Sequence, residues 1–197
     1  MFQTASGVSI PFPERIEEKY TVSEGRIAFN ISFEKLKPFI DDFIADLPEP
    51  VFLIIQKPLK EKYKPNSFTP GPFKAELLYL DLQTKERLNE ALDAYGEILL
   101  NDGMSQFGVR SHVSKDELFI GKYKIAYIFS KDFKKHTGLL DKYGITQTDD
   151  LLMAWDTISA AHPGKRSRVT VDGKDIHDVA DALKQVAEYH MEIVDDR

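Results

Sequence analysis

The chain of 197 residues contains no cysteine, which excludes disulfide bonds, thiol catalysis, iron–sulfur clusters and cysteine-ligated zinc. Long apolar runs are also missing. The longest, VFLII and IAYIF, have five residues each, whereas a helix needs about 20 to span a bilayer. The first 20 residues lack a basic stretch leading into an apolar one, so we predict no signal peptide. These absences together predict a cytoplasmic protein without a membrane segment.

The common catalytic and cofactor motifs are absent too. The sequence has no GxxxxGKS or GxxxxGKT phosphate loop, no GxGxxG dinucleotide loop, no GxSxG nucleophile elbow and no HExxH zinc motif. We therefore predict no cofactor, no metal and no motif-based catalytic residue.

The net charge of −6 disfavours nucleic acid as a partner, because nucleic-acid binders gain much of their affinity by neutralising phosphates. One local exception is segment 57–72, where four lysines surround Tyr63. We predict that it is a mobile, proline-bearing loop without catalytic duty. The alternative is a basic arm that meets an acidic partner.

What the sequence does contain is an alternation of strand-like and helix-like patterns. It predicts a single α/β (α+β) domain over 1–197, with helices flanking a sheet that has both parallel and antiparallel neighbours. Strands are predicted at 26–32, 51–56, 73–82, 105–111, 117–121, 123–130 and 189–194. Helices are predicted from about 37, after Thr84, and at 132–143, 148–158 and 175–188.

The segments 26–43 and 124–143 also match one another when two residues are inserted after Ser130. This similarity suggests an internal duplication, which would give two similar strand–helix lobes, 1–103 and 104–197. A groove between two such lobes is a natural position for a ligand.

The segment FGVRSHVSKDELFIG, residues 107–121, predicts a β-hairpin. A four-residue turn over 113–116 places the apolar residues on one face, which should meet the core. The pairs predicted by that register are His112–Glu117, Arg110–Phe119 and Gly108–Gly121, and the predicted core residues are Phe107, Val109, Leu118 and Ile120.

The polar face of this hairpin is the first candidate ligand site. Two opposed glycines would leave a bare patch of backbone, and glycine in a strand often marks a close approach by a ligand or another segment. We predict a small anionic ligand, or a partner's acidic side chain, held by Arg110. The residues of this candidate site are Gly108, Arg110, His112, Glu117, Gly121 and Tyr123.

Asp156, Arg166 and Arg168 form a second candidate, either an ion pair that holds a loop or an anion site. On a helix starting near 149, Trp155 shares its face with apolar neighbours, so we expect it in the core.

The histidines give no stronger site. His177 and Asp181 have a spacing that can chelate a metal, but a solvated contact on the helix flank is the preferred interpretation. His136 lies among lysines and is expected at the surface.

The segments LLNDGMSQFGVRSH, GKYKIAYIF, LLMAWDTIS and VTVDGKDIHDVADALK together resemble a family of uncharacterised stand-alone proteins from Bacillus-type bacteria. The resemblance covers most of the second half of the chain and the end of the first. It implies a bacterial cytosolic protein and adds no catalytic residue.

Two functions of different classes follow. The first is a non-enzymatic binding protein, of which bacterial toxin-immunity proteins are one kind, since an acidic face can attract a basic protein partner. The second is a small hydrolase or transferase that uses His112 with Asp116 or Glu117. The oligomeric state stays open.

Overall fold

The computed structural model describes residues 2–23, 25–60 and 74–195. The strands of this part are β1 (Val8–Ser9), β2 (Lys19–Ser23), β3 (Arg26–Phe29), β4 (Val51–Pro58), β5 (Lys74–Gln83), β6 (Gln106–Ser111), β7 (Glu117–Ile120), β8 (Ala126–Phe129), β9 (Thr146–Gln147), β10 (Lys165–Arg166) and β11 (Glu188–Asp195). The helices are α1 (Phe33–Asp46), α2 (Lys85–Asn101), α3 (Thr137–Lys142), α4 (Ala154–Thr157) and α5 (Ile176–Leu183).

Nine strands form one sheet in the order β11-β5-β4-β6-β7-β8-β3-β2-β9, and β1 pairs with β10 in a small second sheet. Neighbouring strands of the large sheet are antiparallel except β2 and β9, which are parallel. The predicted α+β class with a mixed sheet is therefore confirmed. Strands from before and after residue 103 interleave in this sheet, and the fold does not show an internal duplication.

The main core lies between one face of this sheet and the helix layer. Apolar side chains of β3 to β8 pack there against α1, α2, α3 and α5. In α1 the buried residues Phe39, Ile40, Phe43 and Ile44 follow the predicted helical spacing. The helix begins at Phe33 rather than near residue 37, because buried Leu36 extends the apolar stripe.

The opposite face of the sheet is covered only in part. A smaller apolar cluster forms under the N-terminal segment and includes Ala5, Val8 and Ile125. Around β4, β5 and β11 this face remains accessible and forms a pocket, described below.

Trp155 is not in the core, contrary to the prediction. It is 43% exposed and packs edge-on against Tyr123, with 5.0 Å between the ring centroids. The reason is that α4 spans only Ala154–Thr157, with the Asp156 carboxylate accepting the backbone N–H of Met153 at 2.8 Å. This start directs Ala154 and Thr157 inward and Trp155 outward.

The prediction that His136 lies at the surface is also wrong. It ends a 3-10 turn and is only 6% exposed. Its ring stacks on Phe43 at 5.3 Å, and burial lowers the pKa of its imidazole.

Most of the predicted loop 57–72 lies outside the described residues, namely 61–72. Its first two residues belong to β4 instead, and Lys57 is buried, where it forms an ion pair with Glu76. Within the part of the chain that the structure covers, no helix is long and apolar enough to cross a membrane.

Candidate functional site

The hairpin that suggested a ligand site forms, but two residues away from the predicted register. Arg110 lies opposite Glu117 and Gly108 lies opposite Phe119. The predicted core residues Phe107, Val109, Leu118 and Ile120 are all 1% exposed, because a shift of two residues keeps every side chain on its face.

Ser111 sets the observed register. Its buried hydroxyl donates to the carbonyl of Pro48 at 2.6 Å and accepts the N–H groups of Val113 and Ser114 at 3.0 and 3.2 Å. The turn therefore begins at Ser111, and His112 is displaced from the strand. This anchor to a distant residue has no local signal in the sequence.

The two glycines of the hairpin do not form an open patch. An added Cβ at Gly108 would stand 2.8 Å from the ring of Phe119, and one at Gly121 would stand 3.2 Å from the ring of Tyr127. The glycines thus make room for aromatic rings of the same sheet face. Tyr123, also predicted for this site, packs against Trp155 instead.

Arg110 is engaged by residues of its own sheet. A guanidinium nitrogen lies 3.3 Å from the carboxylate of Glu117, and the guanidinium carbon lies 5.9 Å from the centre of the Phe52 ring. Burial raises the pKa of Glu117, while the charge of Arg110 acts in the opposite direction.

His112 faces strands that are distant in sequence. Its backbone N–H donates to the carbonyl of Pro50 at 2.8 Å, and its ring lies 4.6 Å from the ring of Phe52. Its Nε2 is 3.5 Å from a carboxylate oxygen of Asp81.

Neither carboxylate predicted to assist His112 is brought to it. Glu117 pairs with Arg110, as described above. Asp116 is buried, where it accepts the hydroxyl of Ser130 at 2.6 Å and forms an ion pair with Lys135. Burial alone would raise the pKa of Asp116, but hydrogen bonds from Lys135, Ser114 and Ser130 outweigh it and lower that pKa.

The contacts of His112 lead to a pocket of about 360 Å³ on the accessible sheet face. Its aromatic walls are close together, with ring centroids 6.2 Å apart for Phe52 and Tyr79 and 6.1 Å apart for Tyr79 and His190. The lining residues are Phe52, Tyr79, Asp81, His112, Glu188, Tyr189 and His190. They come from β4, β5, the β6–β7 turn and β11, so only the assembled sheet brings them together.

The pocket combines these rings with negative charge. Asp81 and Glu188 line it directly. Burial raises the pKa of the Tyr79 phenol, and the carboxylates of Glu192 and Glu117 raise it further. Arg110 acts against them, but its guanidinium is already paired with Glu117.

The second candidate site is not brought together. The Asp156 carboxylate caps the start of α4, the guanidinium of Arg166 lies 5.8 Å from the centre of the Tyr123 ring, and Arg168 lies 3.3 Å from Asp175.

His177 and Asp181 have separate partners. Asp181 accepts Lys60 at 2.8 Å, whereas the two ring nitrogens of His177 lie 3.3 Å from Lys57 and 3.5 Å from Arg168. Burial, followed by the charge of Lys57, lowers the pKa of His177. In the ranges that the structure describes, no group of three His, Asp or Glu side chains could hold a metal ion.

Comparisons of the chain with protein-family models, with curated proteins and with solved structures find no match. The resemblance noted from the sequence therefore stays a prediction. A function for the pocket rests on its geometry and charge.

Proposed function

We propose that the protein is a non-enzymatic binding protein whose pocket accepts a cationic group, such as a guanidinium or ammonium on a partner protein. The observation that carries this proposal is the combination of aromatic rings with carboxylates around one cavity. Phe52, Tyr79 and His112 supply the rings, and Asp81 and Glu188 supply the negative charge.

The aromatic walls suit a cation for a physical reason. A ring face carries partial negative charge, so a cation within about 6 Å of its centre is attracted. Phe52 already holds one such group, since the guanidinium of Arg110 lies 5.9 Å from its centre. The same ring borders the pocket, where an added cation would also meet Asp81.

The charge of the pocket favours a cation over the anion predicted from the sequence. That prediction depended on a free Arg110, whereas Glu117 and Phe52 engage its guanidinium. The carboxylates of the pocket would repel an anion and attract a cation.

A protein partner fits the charge of the whole molecule. A net charge of −6 speeds association with a basic partner through long-range attraction. A toxin-immunity protein that binds a basic toxin would gain from the same attraction, and we extend the proposal to a partner of that kind. The proposed setting is the bacterial cytoplasm, which rests on the resemblance described above.

The proposal is tested with small probes of matched shape. N-acetyl-arginine amide should shift the NMR signals of the Phe52, Tyr79 and His112 rings, and N-acetyl-citrulline amide should not, because citrulline has the same shape without the charge. D81N should weaken binding of the arginine probe by about 1 kcal/mol, or about fivefold in Kd, because an attractive charge is lost.

D149N is the matched control, because exposed Asp149 follows β9 at the opposite edge of the sheet. It should leave binding unchanged. Equal binding of the arginine and citrulline probes, or an unaltered Kd in D81N, would overturn the proposal.

A further inference from the structure

The edge strand β11 is unusually open. Among residues 2–23, 25–60 and 74–195 its only strand partner is β5, so its outer side presents backbone N–H and C=O groups that can pair with another strand. Its first six residues are exposed. The helix layer leaves much of it uncovered, since α5 packs over β4 and against α2, and Lys184 at the end of α5 lies 5.7 Å from the centre of the Tyr189 ring.

One face of this strand carries an exposed apolar stripe. Tyr189, Met191 and Ile193 are 52%, 44% and 51% exposed. Proteins usually protect a long edge strand with charged side chains, most often lysine, or with a proline or a bulge. The sequence of β11, EYHMEIVD, has neither lysine nor proline, and its eight residues pair with β5 without a register shift. Its carboxylates Glu188 and Glu192 alternate with the apolar residues and therefore lie on the face opposite the apolar stripe.

On the opposite face of β11, acidic residues alternate with a histidine, in the order Glu188, His190 and Glu192. His190 and Glu192 lie two residues apart on that face, and the imidazole Nε2 is 3.1 Å from the carboxylate of Glu192. A strand with this pattern is self-complementary when it meets an antiparallel copy of itself.

We propose that two copies of the chain pair through β11, antiparallel, with Met191 on the two-fold axis. In this register His190 faces Glu192 of the second copy, and Tyr189 faces Ile193 of the second copy. Both are favourable cross-strand pairs, and each occurs twice because the interface is symmetric. The two nine-stranded sheets then form one continuous sheet.

Other registers lack this match. An axis through His190 places Glu188 opposite Glu192, and an axis through Glu192 places that carboxylate opposite its own copy. Like charges that face each other across strands are destabilising. An axis between Met191 and Glu192 places apolar residues opposite polar ones, which breaks the common apolar stripe.

The first test measures the mass of the wild-type protein in solution by light scattering, without any ligand, so that it is independent of the pocket. We expect a dimer of twice the 22.5 kDa chain mass. I193K should reduce the mass to that of one chain, because two lysines would replace apolar contacts. V113K is the control, since Val113 is 62% exposed in the β6–β7 turn and should leave the dimer intact.

The second test fixes the register by cross-linking. The chain has no cysteine, so each introduced cysteine is the only thiol. Facing residues of antiparallel strands have Cα atoms about 4.5–5.5 Å apart, which suits a disulfide. Oxidised M191C should therefore form a covalent dimer, whereas Y189C and I193C should form one only when the two variants are mixed.

A wild-type monomer, or an I193K variant that still dimerises, would overturn the proposal. So would a dimer in which Y189C or I193C cross-links alone and M191C does not. Binding of the arginine probe is compared in the wild type and I193K, whose substitution lies outside the pocket lining, so a lost dimer and lost probe binding are distinguished.

Discussion

Lys124 places a charged group in the protein interior, where only 8% of the residue is exposed. Its ammonium donates to the carbonyl of Leu99 at 2.9 Å. Burial lowers the pKa of Lys124 to about 8 from the ordinary 10.5, with Asp102 acting in the opposite direction and Arg166 in the same one. The unfolded lysine keeps its ordinary pKa, so the unfolded chain binds more protons than the folded chain between these two pH values.

The free energy of unfolding should therefore rise as the pH increases from about 8 to about 10.5, by about 3 kcal/mol from this residue. K124M has no ammonium to titrate and should lack that rise. Denaturant titrations of both proteins across this range give the difference. If the difference between wild type and K124M does not change with pH, Lys124 is not charged in a buried site.

The exposure of Trp155 gives a second expectation at the same scale. Its fluorescence in the native protein should resemble that of indole in water, and acrylamide should quench it readily. W155A should cost about 2 kcal/mol, because the edge-on contact with Tyr123 adds to the apolar area that Trp155 buries while nearly half of the residue is already exposed. F39A is the comparison, since Phe39 is fully buried and its truncation should cost about 3–5 kcal/mol. A similar loss in both variants would place Trp155 in the core.

At the scale of elements, prediction succeeds where the signal is local. Helix α2 spans Lys85–Asn101 and is capped by the Thr84 hydroxyl, as its sequence indicates. The faces of the hairpin are also as predicted, because alternation of apolar residues specifies them. The hairpin register, the length of α4 and the start of α1 differ, since tertiary contacts of Ser111 and Leu36 and the cap by Asp156 decide them.

The candidate site shows the same division. The sequence singled out His112 and Arg110, which lie in and beside the pocket. It missed Phe52, Tyr79 and Asp81, because a strand pattern shows which residues share a face but not which strands become neighbours. A single sequence predicts where strands occur, but many orders of those strands in the sheet remain possible.

The role of Ser111 in the turn can be measured directly. S111A removes a donor to Pro48 and an acceptor for two backbone N–H groups, so it should lower the free energy of unfolding by about 1–3 kcal/mol. S9A is the control, because Ser9 is exposed in β1 and removal of its hydroxyl should cost less. Chemical denaturation compares the two, and a smaller loss in S111A would contradict its role in setting the register.

At the scale of the whole molecule, the two faces of the sheet contain different features. Its helix-covered face contains the main core, while the other face contains the pocket. Substitutions on the first face should therefore alter stability, whereas under the proposed function D81N should alter binding of the arginine probe with little effect on stability.

The order of the strands also has a consequence for how the chain is made. β3 and β4 follow one another in sequence with only α1 between them, yet β6, β7 and β8 lie between them in the sheet. The ribosome therefore synthesises β3 and β4 before it synthesises β6, β7 and β8, the strands that connect them in the sheet. Until Phe129 has left the ribosome, β3 and β4 each lack the strand partner on one edge. The nascent chain is therefore more prone to wrong strand pairing than the folded protein. Such non-local pairing also makes folding slow, because long loops must close before the strands can meet.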